Sequence, residues 1–346
     1  MTVTAPNPAP AAEVPKSSGT RLVDRVFRMR ELAILVVFLA MIVVTQLGNS
    51  EFLTEQGIKD LLLNATILML VAVGQSLVVI TRNVDLSVGS TLGISAFAAG
   101  TYLQGGGNAV VAVFLAVLLG IGCGLMNGLL VSLGQVPALV VTLGTLYIIR
   151  GIDSIWVGSR QIVASALPDG FIDFGSGGIH AVPYLALIAL AVLVATAYYL
   201  KHFGSGRELY ALGSNPEAAR LAGIPVRKRI LMAYTFCGAL AGLAGALYLA
   251  RFGNVDSSTG SGYELTVVSA VVVGGVVFTG GSGSVYGAAL GALLLTSINS
   301  VLPALGVSSV WVLAINGILL ILAIAVDRVV ALRVATALKK RNARHG

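Results

Sequence analysis

Runs of roughly twenty residues without a formal charge recur along this chain, and that pattern confines it to one class of fold. The bilayer core satisfies no backbone N–H or C=O group, so segments of this length cross it as helices that close their own hydrogen bonds. Composition agrees. Of the 346 residues, 56% are apolar and only 11% charged, against about 25% charged in a typical soluble domain. The expected fold is all-α, a polytopic membrane protein.

Charge placement orients it. The net charge is +7, and three segments hold seventeen of the twenty-two basic residues: 1–30, 201–229 and 328–346. The same segments hold four acids (Glu13, Asp24, Glu208 and Glu217), leaving five basic and eleven acidic residues elsewhere. This asymmetry is the positive-inside signature and argues against a nucleic-acid patch. It divides the chain into a disordered cytoplasmic tail over 1–30, a transmembrane domain over 31–327 with a cytoplasmic loop at 201–229, and a basic cytoplasmic tail over 328–346. The run 32–47 follows five basic residues but precedes TQLGNS, with no small-x-small cleavage site, so it reads as an uncleaved first span.

Ten candidate spans follow: 31–48, 58–81, 84–103, 109–133, 136–155, 181–200, 230–250, 265–281, 284–303 and 308–327. Ten crossings that start inside also end inside, and six of them precede the 201–229 loop, so the count meets both charge constraints. Glu51, Glu55, Asp169, Asp173, Asp256 and Glu264 then lie in outer loops. Spans 84–103 and 265–281 are rich in Gly and Ser and are either continuous or broken. Small residues recur every four positions at Gly89/Gly93, Gly120/Gly124/Gly128, Gly238/Gly242 and Gly283/Gly287/Gly291. Such faces let helices approach closely in lipid. LLGIGCGLMNGLL (118–130) echoes ALGALLLTSINSVL (289–302), each a glycine row leading to an asparagine, on spans of opposite direction. That suggests an inverted repeat.

The 201–229 island carries a short helix signal over about 216–222. Either Ser214 and Glu217 form a capping box, or Asn215 caps and Pro216 takes the first helical position. Gly223 can take the left-handed exit and Pro225 blocks continuation. Ala218, Ala219 and Ala222 are small, Glu217 and Arg220 can pair at i,i+3, and Leu221 is the one large apolar side chain. A helix this short is marginal alone; it either lies on the protein's own loops or fits a groove on a soluble motor.

The loop resembles the coupling segment of permease subunits of ATP-binding-cassette importers: Glu217, Ala218, Ala219 and Gly223 match E-A-A-x-x-x-G, without the downstream I-x-L-P. Three segments in order, NVDLSVGS (83–90), GRELYALGSNPEAARLAGIPV (206–226) and GSGYELTVVSAVVVGGVVFTGGSGSVYGAALGA (260–292), resemble the monosaccharide permeases of that group. Arg82-Asn83 departs from the small or apolar pair usual there. The resemblance covers about residues 50–327. It implies a ten-span permease beside a second permease chain, identical or homologous, with separate ATPase subunits and an extracytoplasmic sugar-binding protein. Ribose, xylose, arabinose, galactose, rhamnose and the related furanosyl signalling sugar all fit it.

The residues themselves are compatible with this. No lysine follows a glycine, so the chain contains no G-x-x-x-x-G-K-[ST] loop for ATP phosphates. No cofactor is expected on this chain; ATP belongs to the partner. His180, His202 and His345 form no cluster, and Cys123 and Cys237 sit in apolar runs, so no metal site, disulfide or catalytic constellation is expected. Trp156 and Trp311 are the only tryptophans, and no tight sugar site is readable. Arg82/Asp85 and Arg150/Asp153 lie i,i+3 and are expected to pair on one helix face. Asp85 and Ser87 either start a helix at the membrane edge or stand near the translocation path. Asn64, Gln75, Asn127, Asn299 and Asn316 either bond between helices or line that path. Tyr263 and Glu264 are candidates to meet the binding protein, and Tyr263 also fits an interfacial anchor. The alternatives are an ion-coupled secondary transporter, which needs an unpaired carboxylate in the membrane, and an intramembrane enzyme, for which no residue set speaks.

Overall fold

The chain is seen as a computed structural model that describes residues 18–48, 52–304 and scattered positions between 306 and 325. Its helices are α1 (Ser18–Gly48), α2 (Glu55–Ile80), α3 (Val88–Gln104), α4 (Ala109–Ser132), α5 (Ala138–Val157), α6 (Asp169–Ser176), α7 (Tyr184–His202), α8 (Gly204–Ser214), α9 (Pro216–Leu221), α10 (Val226–Phe252), α11 (Tyr263–Val273) and α12 (Val285–Ala304). Among the described residues the only strands are Gly178–Ile179 and Val182–Pro183, an antiparallel pair before α7. Among the described residues, six helices are long and apolar enough to cross a membrane: α2, α4, α5, α7, α10 and α12. This is a multi-pass helical membrane protein.

Several boundaries differ from expectation. α1 reaches back to Ser18, across the basic segment taken as tail. Most of the 308–327 span, Asn316, the 328–346 tail and residues 1–17 lie outside the described residues. α3 begins only at Val88, and α11 stops at Val273, so both Gly/Ser-rich spans are short helices next to irregular backbone. Gly283 stands in the irregular segment before α12, at φ 134°, and not in a helical glycine row.

α2 is the centre of the bundle. In its most apolar window 89% of residues are buried, against 22% for α4 and 28% for α5. α7, α10, α11 and α12 surround it, while α10 also carries α3 and α4. The α4–α10 seam is made by the glycine rows read from the sequence. A methyl group on Gly124 would stand 3.1 Å from the Gly238 Cα, and one on Gly238 would stand 2.8 Å from the Gly124 Cα. Backbones this close gain dispersion along the whole seam, which is the main attraction available between helices in lipid. Gly291 of α12 plays the same part against Ala270 of α11. Ion pairs clasp the two ends: Asp60 of α2 with Arg251 of α10 at 2.8 Å, and Glu208 of α8 with Arg229 of α10.

Candidate functional site

α9 is six residues long and fully equipped at both ends. Asn215, at φ −153°, accepts from Glu217 N and Ala218 N, both at 3.1 Å, and Pro216 fills the first position. Asn215 is therefore the cap, and Ser214 instead closes α8. The reason is geometric: Ser214 is held in helical backbone, where its side chain cannot turn back on the next helix. At the exit, Gly223 N bonds Arg220 O and Ile224 N bonds Ala219 O, each at 3.0 Å, with Gly223 at φ 80°. This Schellman closure requires a left-handed residue, which glycine takes without steric cost. Ala219 is buried, whereas Leu221 is 89% exposed beside exposed Glu217, Ala218 and Arg220.

The base of this helix is locked to α2. Gly213, at the end of α8, lies directly on Ile80 O and Gly281 N, leaving no space for a Cβ. Gly281 N bonds Ile80 O at 2.9 Å, and Arg82 Nε donates to Thr279 O at 2.6 Å. Tyr210 of α8 donates to Gly283 O at 3.1 Å, and burial pushes its hydroxyl up to about 12. The end of α2, the end of α8 and the 274–284 segment thus form one joint.

Beyond that joint the chain breaks, and the break is held by buried polar groups. Asp85 Oδ1 accepts from Ser87 N at 2.9 Å, from Ser87 Oγ at 2.7 Å and from Asn127 Nδ2 at 3.3 Å. Asn127 Nδ2 also donates to Ser87 Oγ at 2.7 Å. The Gln75 amide pairs with the backbone of Asp85, donating to its O at 3.2 Å and accepting from its N at 3.1 Å. Tyr234 of α10 and Thr142 of α5 donate to Val84 O at 3.0 and 3.3 Å. Four helices therefore satisfy an irregular stretch that lipid could not satisfy. Gln75, Ser87, Asn127 and Tyr234 are at most 1% exposed and Asp85 is 2% exposed.

The break continues into a second irregular segment. Gly89 and Gly93, on the first turns of α3, receive the Gly260 and Thr259 carbonyls of the 253–262 loop. Gly260 in turn lies on Gly89 O. Arg150 Nη1 donates to Thr259 O at 2.6 Å and stands 3.9 Å from Asp153. Glu264 Oε1 accepts from Gly262 N at 3.2 Å, and its other oxygen is buried against Gly89. Asp256 closes the loop by accepting from Ser258 N and Oγ, which hold its carboxyl below the usual range.

The chain matches a family model described as "Branched-chain amino acid transport system / permease component" over residues 57–324. It belongs to this permease-component family. The autoinducer 2 import system permease protein LsrC of Salmonella typhi is 38% identical over 295 residues, covering 84% of each chain. The ribose import permease protein RbsC of Escherichia coli K12 is 35% identical over 312 residues, covering 90% of this chain and 97% of that one. No solved structure matches it significantly.

In this permease, Asp85, Ser87, Gln75 and Asn127 come together in one closed centre. Asn64 lies half-buried on α2, eleven residues and about 16 Å before Gln75, and Asn299 lies half-buried near the end of α12. At that distance Asn64 stands outside this centre. Tyr263 packs edge-on against Tyr248 at 6.4 Å, and Glu264 turns inward to α3. The Arg150–Asp153 pair forms as expected. The Arg82–Asp85 pair does not: both lie in the break, Arg82 at φ 67°, so helical i,i+3 spacing does not apply and their side chains diverge. Tyr234, Thr142 and Thr259 were not read from the sequence. A tyrosine in mid-span was the available signal for Tyr234, since its buried hydroxyl must find an acceptor. Among the described residues, no group of three His, Cys, Asp or Glu could hold a metal.

Proposed function

We propose that this permease is the membrane subunit of an ATP-driven importer that carries a monosaccharide, or a solute of that kind, across the bacterial inner membrane. The family description names branched-chain amino acids, but the relatives cited above import ribose and autoinducer 2 by name. The segments 83–90, 206–226 and 260–292 point the same way.

In this reading ten spans place both termini and α8–α9 in the cytoplasm, six before the loop and four after. An inverted repeat is favoured by packing. α2, a break, α3 and α4 are followed in the second half by α10, a loop, α11 and α12. α4 packs on α10, and α12 on α2, so each half lays its third helix across the first helix of the other. The two irregular segments, 81–87 and 253–262, then face opposite sides of the membrane, and the second packs on the start of α3, which follows the first, at Gly260 and Gly89.

The single observation that carries the function is α9, with Leu221 exposed on a base packed against the end of α2. A separate ATPase chain binds ATP, grips α9, and by closing moves the Gly213–Ile80 joint. The motion reaches the Asp85 centre and the Gly89–Gly260 contact. Asp85, Ser87, Gln75 and Asn127 hold the break beside the path and set its two positions. A second permease chain completes the path, and a sugar-binding protein docks at the end that carries Tyr263 and Glu264. Vesicles containing the assembled importer should take up sugar only with ATP and should continue after an uncoupler collapses ion gradients. Uptake that persists without nucleotide and stops with the uncoupler would return the assignment to the ion-coupled class.

A further inference from the structure

A cleft of about 680 Å³ lies beside α9, between the end of α4 and the start of α10. Three cations line it: Arg220 from α9, and Arg227 and Lys228 from the first turn of α10. All three are exposed, and among the described residues no carboxylate pairs with them. The first turn of α10 contains no acid, so Arg227 and Lys228 stand against the positive end of their own helix dipole. Ser132 also lines the cleft; it is 5% exposed, and its buried hydroxyl has no partner. Gln135 completes the wall. A concave site with three unmatched cations and an unused buried hydroxyl is built for an anion with several acceptor oxygens.

The surroundings favour one source for that anion. α4 and α10 are both long and apolar enough to cross a membrane, so a cleft between the end of one and the start of the other falls near the level of lipid headgroups. The last turns of α4 beside it expose Leu129, Leu130 and Leu133 at 43%, 44% and 56%. We propose that the cleft binds the phosphodiester headgroup of an anionic phospholipid, with its acyl chains along the end of α4. The headgroup bridges α9 to α10 through Arg220 on one side and Arg227 and Lys228 on the other, so membrane charge regulates how firmly the coupling helix is held. Binding itself does not depend on which solute is carried or on what drives it.

The test uses the full-length permease reconstituted in phosphatidylcholine vesicles with and without phosphatidylglycerol, then extracted for native mass spectrometry. The wild type should retain phosphatidylglycerol over phosphatidylcholine. The R227Q/K228Q variant should lose affinity by about fivefold per cation, and Ser132→Ala by about fivefold through the hydroxyl. Arg227→Lys should bind as wild type, which separates charge from folding, and Lys201→Gln, outside the cleft, should change nothing. Equal retention by R227Q/K228Q and wild type overturns the proposal. So does inorganic phosphate alone raising the melting temperature of the delipidated chain as much as phosphatidylglycerol does, because the site then serves free anions. Shielding of 227 and 228 from chemical labelling only when the ATPase is bound also overturns it, in favour of an acidic protein partner.

Discussion

Gly213 rests directly on the carbonyl of Ile80, with no room between them for a Cβ. The contact seats the end of α8, one residue before the Asn215 cap of α9, against the end of the buried helix α2.

Gly213→Ala should therefore separate coupling from membrane insertion. The added methyl overlaps backbone on both sides, and overpacking of this kind costs about 1–3 kcal/mol. The expected outcome is normal membrane abundance, reduced uptake, and ATP hydrolysis that no longer tracks transport. Uptake equal to wild type would show that the joint transmits nothing.

Leu221→Ser tests docking without touching the fold. The side chain is 89% exposed, so the melting temperature of the isolated permease should stay unchanged. Burial of a leucine in a partner groove is worth about 1.5–3 kcal/mol, so affinity for the ATPase should fall about tenfold or more. Co-purification at graded concentrations measures this, and unchanged affinity would rule out Leu221 as an anchor.

Gly223→Val and Asn215→Ala should both loosen α9. The first forces a β-branched residue to φ 80°, at about 1–2 kcal/mol. The second removes two capping bonds, at about 0.5–2 kcal/mol. Hydrogen exchange should rise in 216–222 and stay as in wild type in α2. Protection equal to wild type in both variants would mean that the helix is held by something other than its caps.

Asp85→Asn should impair the permease more than Asp153→Asn. Asp85 accepts through both oxygens, Oδ1 from Ser87 and Asn127 and Oδ2 from Asn127, and an amide keeps one acceptor oxygen and turns an N–H donor toward the donors already there; a buried group left unsatisfied in this way costs about 1–3 kcal/mol. Asp153 has no hydrogen-bond partner for either oxygen, only Arg150 at 3.9 Å. Detergent melting curves and vesicle uptake should rank the two alike, with Asn127→Ala close to Asp85→Asn. Equal, mild effects from all three would leave the polar centre without a role in transport.

Much of this permease is legible along its sequence, because the governing physics is local or compositional. Uncharged runs became long helices since lipid forbids open backbone, and α9 was readable because its Asn215 cap, Pro216 start and Gly223 exit act within a few residues. The glycine rows announced close seams, although only packing chose Gly124 and Gly238 as partners. What the tertiary structure alone decided is where the helices break and what holds the breaks. Arg82 and Asp85 have helical spacing in sequence, yet Asp85 takes its partners from Gln75, Ser87 and Asn127, and Arg82 reaches Thr279. Only Ser87 is a local partner of Asp85; the other pairs lie up to 197 positions apart, and a buried polar atom takes whichever partner the fold brings within bonding distance, so no local pattern encodes those matches.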